Sequence, residues 1–212
     1  MMFKLKSAWL LVAALTMFTS AVIADEGKLA TGTEAPIGEQ DKYASVQETL
    51  KTCFSCHGEK GASTIGTFPT LAGQEFYYMY VQLKDMKKGL RASQVMGPIV
   101  AGIEKEDLKL MAEYFSEQEW PKTDYKLDPK RIAAAKLVAD AGQCAACHLG
   151  TFKGNSRVPR LANQHPEYLK NTMHDFKNDV RKNAPAMGTL FKSFSEQEIQ
   201  DIADYMSSFK GE

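Results

Sequence analysis

No cysteine lies outside two pentapeptides, CFSCH at Cys53 to His57 and CAACH at Cys144 to His148, and the chain has only four histidines. Two Cys-x-x-Cys strings that use every thiol leave none for disulfides. The chain also lacks net charge, with 26 Lys and Arg against 26 Asp and Glu, so the basic surplus that nucleic-acid binding needs is missing and no nucleic-acid partner is expected. It lacks any alternating apolar run long enough for a sheet, which leaves an all-α fold. It lacks a spanning segment too. The longest apolar run, Ala8 to Phe18, falls well short of the roughly 20 residues a membrane helix needs. Lys4 and Lys6 precede that run and Val22-Ile23-Ala24 follows it, so residues 1–24 are expected to be a signal peptide cleaved before Asp25. They contain no cysteine that could carry a lipid anchor.

The two pentapeptides each end in histidine, and that decides their chemistry. In Cys-x-x-Cys-His the thiols stand one helical turn apart, so both can add to the vinyl groups of one haem while the histidine sits under its iron. A single Cys-x-x-Cys would also admit zinc or thiol redox chemistry. Two copies, each with its histidine, point to two covalently attached haem c groups, bound through Cys53, Cys56, Cys144 and Cys147 and ligated by His57 and His148. Attachment of this kind occurs in proteins matured outside the cytoplasm, in agreement with the signal peptide.

An internal repeat sets the domain organisation. Cys53 maps onto Cys144 at an offset of 91, PTLAGQ (Pro69 to Gln74) onto PRLANQ (Pro159 to Gln164) at 90, Tyr78 onto Tyr168 and Arg91 onto Arg181 at 90, and Met96-Gly97 onto Met187-Gly188 at 91. Ala112, Tyr114 and Ser116 continue onto Ala203, Tyr205 and Ser207. A repeat this long predicts a duplicated haem domain, residues 25–119 and 128–212, joined by a linker at 120–127 in which Pro121 bars helix continuation. A domain of about 90 residues buries only a modest core. Haem is expected to supply the missing apolar volume, and the short linker predicts that the domains pack together.

Within each half the pattern is helical. A helix is expected to lead into each motif, over Tyr43 to Lys51 and over Pro129 to Ala141, the second with Asp128 as N-cap and Pro129 at the first helical position. A middle helix carries Phe76, Met79, Tyr80, Leu83, Met86 and Leu90, matched by Leu169, Met173, Phe176 and Val180. A last helix carries Leu108, Met111 and Phe115, matched by Ile199, Ile202 and Met206. Ser195 and Glu198 form a capping box on the second copy, where the first has Glu104.

The sixth iron ligand follows by elimination. The two remaining histidines, His165 and His174, both lie in the second half and are expected at the surface. Only Met96 and Met187 are methionine in both copies, each 39 residues after its histidine, each followed by glycine, in a loop before the last helix. Histidine and methionine together raise the reduction potential and close the iron to oxygen or peroxide. Residues 25–120 carry 10 Lys and Arg against 15 Asp and Glu, and residues 121–212 carry 14 against 11. Lys84, Lys87, Lys88 and Arg91 share a helical face, readable as a solvated surface, a docking face for an acidic partner, or an arginine near a haem propionate.

With its two Cys-x-x-Cys-His strings, its PxLAxQ repeats and its paired methionines, the chain resembles the dihaem cytochrome c4 family, a tandem of class I cytochrome c folds, over about Tyr43 to Phe209. The resemblance implies that the carbonyls of Pro69 and Pro159 accept the ring N–H of the proximal histidines. It also implies a monomeric periplasmic carrier, loosely associated with the membrane, that takes electrons from a quinol-oxidising cytochrome complex (quinol-cytochrome c reductase) to a terminal oxidase. Two other functions stay open: the cytochrome subunit of a sulfide-oxidising flavoprotein or other dehydrogenase, and a dihaem enzyme such as a peroxidase or thiosulfate dehydrogenase.

Overall fold

The structure, a computed structural model, describes residues 42–209. The signal peptide and the stretch from 25 to 40 therefore lie outside the described residues. Those residues form helices and loops, with no strand among them. Nor does any helix among them have the length and apolarity to cross a membrane.

In the first half, a short 3₁₀ turn at Ala44–Val46 leads into α1 (Gln47–His57), followed by α2 (Phe76–Lys87), α3 (Met96–Ala101) and α4 (Lys105–Ser116). The second half holds α5 (Pro129–Ala141), α6 (Cys144–His148), α7 (Pro166–Lys177), α8 (Pro185–Phe191) and α9 (Glu196–Ser208). Two starts were readable from the side chains. Asp128 accepts from the Lys130 N–H ahead of Pro129, and Ser195 and Glu198 close a reciprocal capping box on α9. Glu104, in the same place on α4, makes no side-chain cap.

Each half has its own core. Tyr43, Val46, Leu50, Met79, Met111, Ala112 and Phe115 close the first, and Phe152, Leu169, Met173, Phe176, Ile199, Ile202 and Met206 are among those that close the second. The helices pack α2 on α4, and α9 on both α5 and α7. Two expectations need correction. Leu90 and Val180 lie beyond the ends of α2 and α7 and are exposed, while Gln82 and Asp85 on α2 are buried. The stripes end early because the chain turns through left-handed backbone just before these residues, at Gly89 (φ 72°) and Asp179 (φ 56°), and α2 turns a second, polar face toward the other half of the chain.

That contact repeats across a local twofold relation. The Tyr78 N–H donates to Ser156 O at 3.0 Å and the Tyr168 N–H to Gly66 O at 3.1 Å, bonds whose residues exchange under the 90-residue offset. Arg91 Nη2 donates to the Tyr168 hydroxyl at 3.2 Å, and Arg181 Nη2 to the Tyr78 hydroxyl at 3.3 Å. Arg91 is thus engaged between the halves and does not belong to a solvated lysine face. The segment after α4 is also held. Asn163 Nδ2 donates to Pro121 O at 2.8 Å, Tyr125 donates to Asp204 at 2.6 Å, and Trp120 and Leu127 are buried.

Candidate functional site

The two Cys-x-x-Cys-His strings sit on helices of different shape. In the first half the string forms the last turns of α1, which runs unbroken through His57. In the second the leading helix stops at Ala141, Gln143 takes a left-handed conformation (φ 51°), and Cys144–His148 restarts as α6. Both solutions bury the histidine, to 5% exposure for His57 and 8% for His148.

The PxLAxQ loops position a carbonyl over each imidazole. The N–H groups of Leu71 and Ala72 both donate to Gly61 O, at 2.9 and 3.1 Å, and those of Leu161 and Ala162 both donate to Phe152 O, at 2.8 and 3.0 Å. Gly61 (φ 83°) and Phe152 (φ 52°) adopt left-handed backbone to present that oxygen. A side chain at Gly61 would meet the Phe115 ring at 2.7 Å. The far end of each loop is fastened to the last helix, Gly73 N to Phe115 O at 2.8 Å and Asn163 N to Met206 O at 3.0 Å. Held this way, Pro69 O lies 2.9 Å from His57 Nδ1 and Pro159 O lies 3.0 Å from His148 Nδ1. A carbonyl can only accept, so Nδ1 carries the proton. Nε2, which has no partner among the described residues, is left with its lone pair free.

The electrostatics agree with neutral imidazole. Burial lowers the pKa of His57 and of His148, outweighing the proline carbonyl that favours the cation. Burial also pushes the thiols of Cys53 and Cys144 up to about 11, which disfavours the free thiolate that thiol exchange requires. No cluster of three or more metal-ligating side chains occurs among the described residues, so the two Cys-x-x-Cys strings do not combine into a zinc site. A neutral imidazole with a free Nε2, beside two thiols one turn apart, is the donor set that covalent haem needs. Val95 and Ile99, flanking Met96, are exposed apolar residues for which such a group would provide cover.

Met96 and Met187 lie on short helices and not in loops as the sequence implied. Met96 is the first residue of α3, its N–H bound to Ser93 Oγ at 3.0 Å, and Met187 lies in the first turn of α8, behind Pro185. Pro98 does not prevent α3, because in a first turn its missing N–H has no intrahelical partner to lose. Both methionines are partly buried. Lys87 Nζ donates to Ile103 O just beyond α3, and its repeat partner Lys177 to Phe194 O just beyond α8. These lysines tie the methionine helices to α2 and α7.

The remaining histidines are not simply surface residues. His165 Nε2 bonds Ser63 O at 2.9 Å across the halves, and His174 Nε2 pairs with Glu196 at 3.1 Å. Gln74, Gln82 and Gln164 carry the contact between the halves and were not singled out from sequence. The signal for two of them was present, since Gln74 and Gln164 are the same buried polar residue at equivalent positions.

Known proteins match this arrangement. The family model Cytochrome c matches residues 132–210. A cytochrome c4 from Thiocapsa roseopersicina is 30% identical over 178 residues, covering 78% of this chain and 91% of that protein. A protein from Stutzerimonas stutzeri, described as a thiosulfate dehydrogenase electron acceptor, is 28% identical over 93% of this chain and 92% of its own length. The crystal structure of reduced cytochrome c4 from Pseudomonas stutzeri superposes with a TM-score of 0.70 at 27% identity, over 80% of this chain and 97% of that one. Because the likeness runs through both halves and takes in nearly the whole length of these relatives, the chain belongs to the cytochrome c4 family.

Proposed function

We propose that the protein carries electrons in the periplasm from a quinol-oxidising cytochrome complex to a terminal oxidase, with His57 and Met96 on one iron and His148 and Met187 on the other. As a member of its family it is an electron-transfer protein with two covalently bound haem c groups, and Cys53, Cys56, Cys144 and Cys147 would attach them. Each haem, when bound, supplies a one-electron Fe(III)/Fe(II) couple. The protein's part is to hold each ligand still. The Pro69 and Pro159 carbonyls orient the imidazoles, and the Lys87 and Lys177 contacts brace the methionine helices.

The observation that carries this reading is the equivalence of the two sites. An enzyme would need one iron open or unusually ligated. Here both halves offer the same histidine and the same methionine, and His165 and His174, the other candidate ligands, are engaged elsewhere. Carbon monoxide added to the reduced protein tests it. Spectra unchanged at both haems are the expected result, and binding at a substantial fraction of haem would overturn the carrier reading.

A second reading concerns the donor. Likeness to the Stutzerimonas protein supports a dehydrogenase in place of the quinol-oxidising complex. Stopped-flow reduction by a purified quinol-cytochrome c reductase with quinol, against reduction by thiosulfate dehydrogenase with thiosulfate, decides between them. The faster donor at equal concentration is the partner.

A further inference from the structure

The peptide group that orients each proximal histidine is also bonded to a glutamine of the opposite half. The Pro69–Thr70 peptide accepts from His57 through its carbonyl at 2.9 Å and donates through its N–H to Gln164 Oε1, also at 2.9 Å. The Pro159–Arg160 peptide accepts from His148 at 3.0 Å and donates to Gln74 Oε1 at 2.8 Å. Each glutamine returns a bond, Gln164 Nε2 to Thr70 O and Gln74 Nε2 to Arg160 O, both at 3.0 Å. Each Oε1 is further fixed by the next backbone N–H of its own chain segment, His165 N or Glu75 N, at 3.0 Å. Gln74 and Gln164 are 5% and 3% exposed, so water does not compete for these bonds.

We infer that Gln164 and Gln74 are positioning residues that set the reduction potentials crosswise: Gln164 tunes the iron on His57, and Gln74 tunes the iron on His148. Hydrogen bonds in series polarise one another. When Gln164 accepts the Thr70 proton, electron density shifts along the peptide to Pro69 O, which then accepts more strongly from His57 Nδ1–H. The imidazole gains anionic character, and a more basic ligand favours the oxidised iron. The same chain of bonds runs from Gln74 to His148. Docking of the halves and tuning of the two sites therefore use the same side chains. The inference rests on the assignment of His57 and His148 as iron ligands.

Site-resolved redox titration by NMR on the haem-loaded protein tests it. Gln164→Leu keeps the volume and removes the acceptor. It is expected to raise the Fe(II) to Fe(III) ratio of the N-terminal haem roughly two- to fourfold at the wild-type midpoint, with the C-terminal haem unmoved. Gln74→Leu is expected to do the reverse, and it serves alone should Gln164→Leu fail to fold. Gln164→Glu keeps an acceptor and adds charge, and shifts the same haem the opposite way. In the reduced protein the His57 ring N–H resonance moves in Gln164→Leu and stays in Gln74→Leu. A purely structural role would move both haems together, and that outcome, or shifts confined to the mutated half, overturns the inference. Failure of the ligand assignment looks different: His57 would then show no haem-shifted imidazole resonance in any variant.

Discussion

Arg91 and Arg181 stand opposite each other as an isolated antiparallel bridge between the two halves. They are repeat partners, so each arginine pairs with its own copy, which is possible only where the local twofold axis passes. Like charges at that point need a shared acceptor. Gln82 Oε1 provides it, receiving Arg91 at 3.1 Å, Arg181 at 2.7 Å and Asn183 at 3.0 Å. The repeat partner of Gln82 is Thr172, too short to do the same, so one glutamine serves both sides of the axis.

Gln82→Leu should therefore weaken the whole contact. Hydrogen bonds to charged groups contribute about 1.5–3 kcal/mol each when buried. Arg91 is partly exposed, which discounts its share, and the expected loss is about 3 kcal/mol. For a chain of this size that lowers the melting temperature by about 6–12 °C. Scanning calorimetry of the haem-loaded variant checks it, and an unchanged transition would show that the arginines find equal partners elsewhere.

The caps give a matched pair of predictions. Ser195→Ala removes the Oγ acceptor of the Glu198 N–H, at 3.3 Å, and should cost about 1 kcal/mol. Glu104→Ser supplies the missing cap on α4 and should gain about 0.5–1 kcal/mol. The two sites share no partner, so the double variant should sit near wild type in urea, within about 0.5 kcal/mol of the sum. A Glu104→Ser variant no more stable than wild type would mean that the α4 start is already satisfied.

Those caps also mark what was legible in the sequence. Helix α5 matches the span read from Asp128 and Pro129 residue for residue, because a cap and a helix-starting proline are local signals. Leu108, Met111 and Phe115 are buried as their spacing implied. The polar contact between the halves was not legible. No local pattern singles out Gln82, Asp85 or Arg181, and in each case it is the other half of the chain, some ninety residues away, that supplies the partners. Met96 and Met187, each followed by a glycine, read as loop residues, yet a helix that starts at Met96 keeps Pro98 in its first turn.

The methionines make the most direct test of the sites. Met96→Ala should remove about half of the methionine-to-iron charge-transfer absorbance of the oxidised protein, and Met187→Ala the other half, because each would ligate one of two irons. Met79→Ala is the control. Its side chain is in the core, so it should lower stability by about 2–5 kcal/mol and leave the band intact. Full absorbance in either ligand variant would reject the assignment at that iron.

The two haems should differ in potential, the N-terminal one lower. Oxidised iron carries one more positive charge than reduced iron, so an acidic surrounding favours oxidation. The described residues narrow the contrast read from the full sequence. Residues 42–120 hold 9 Lys and Arg against 10 Asp and Glu, and residues 121–209 hold 13 against 10, a difference of four charges. Local pairs such as Lys42 with Glu113 and Glu117, or Arg131 with Asp201 and Asp204, cancel at a distance, so the net charge is what each iron feels. At about 15 Å in water each charge contributes roughly 0.3 kcal/mol, and a Debye length of about 8 Å cuts that several-fold. The gap is then about 0.2–1 kcal/mol, or about 10–45 mV for one electron. Residues 25–41, outside the described residues, hold one lysine and five acids and do not enter that difference. Site-resolved titration at low and high salt measures it: the gap should shrink as salt rises, and a C-terminal haem that is the lower of the two, or a gap indifferent to salt, would rule out net charge as the cause.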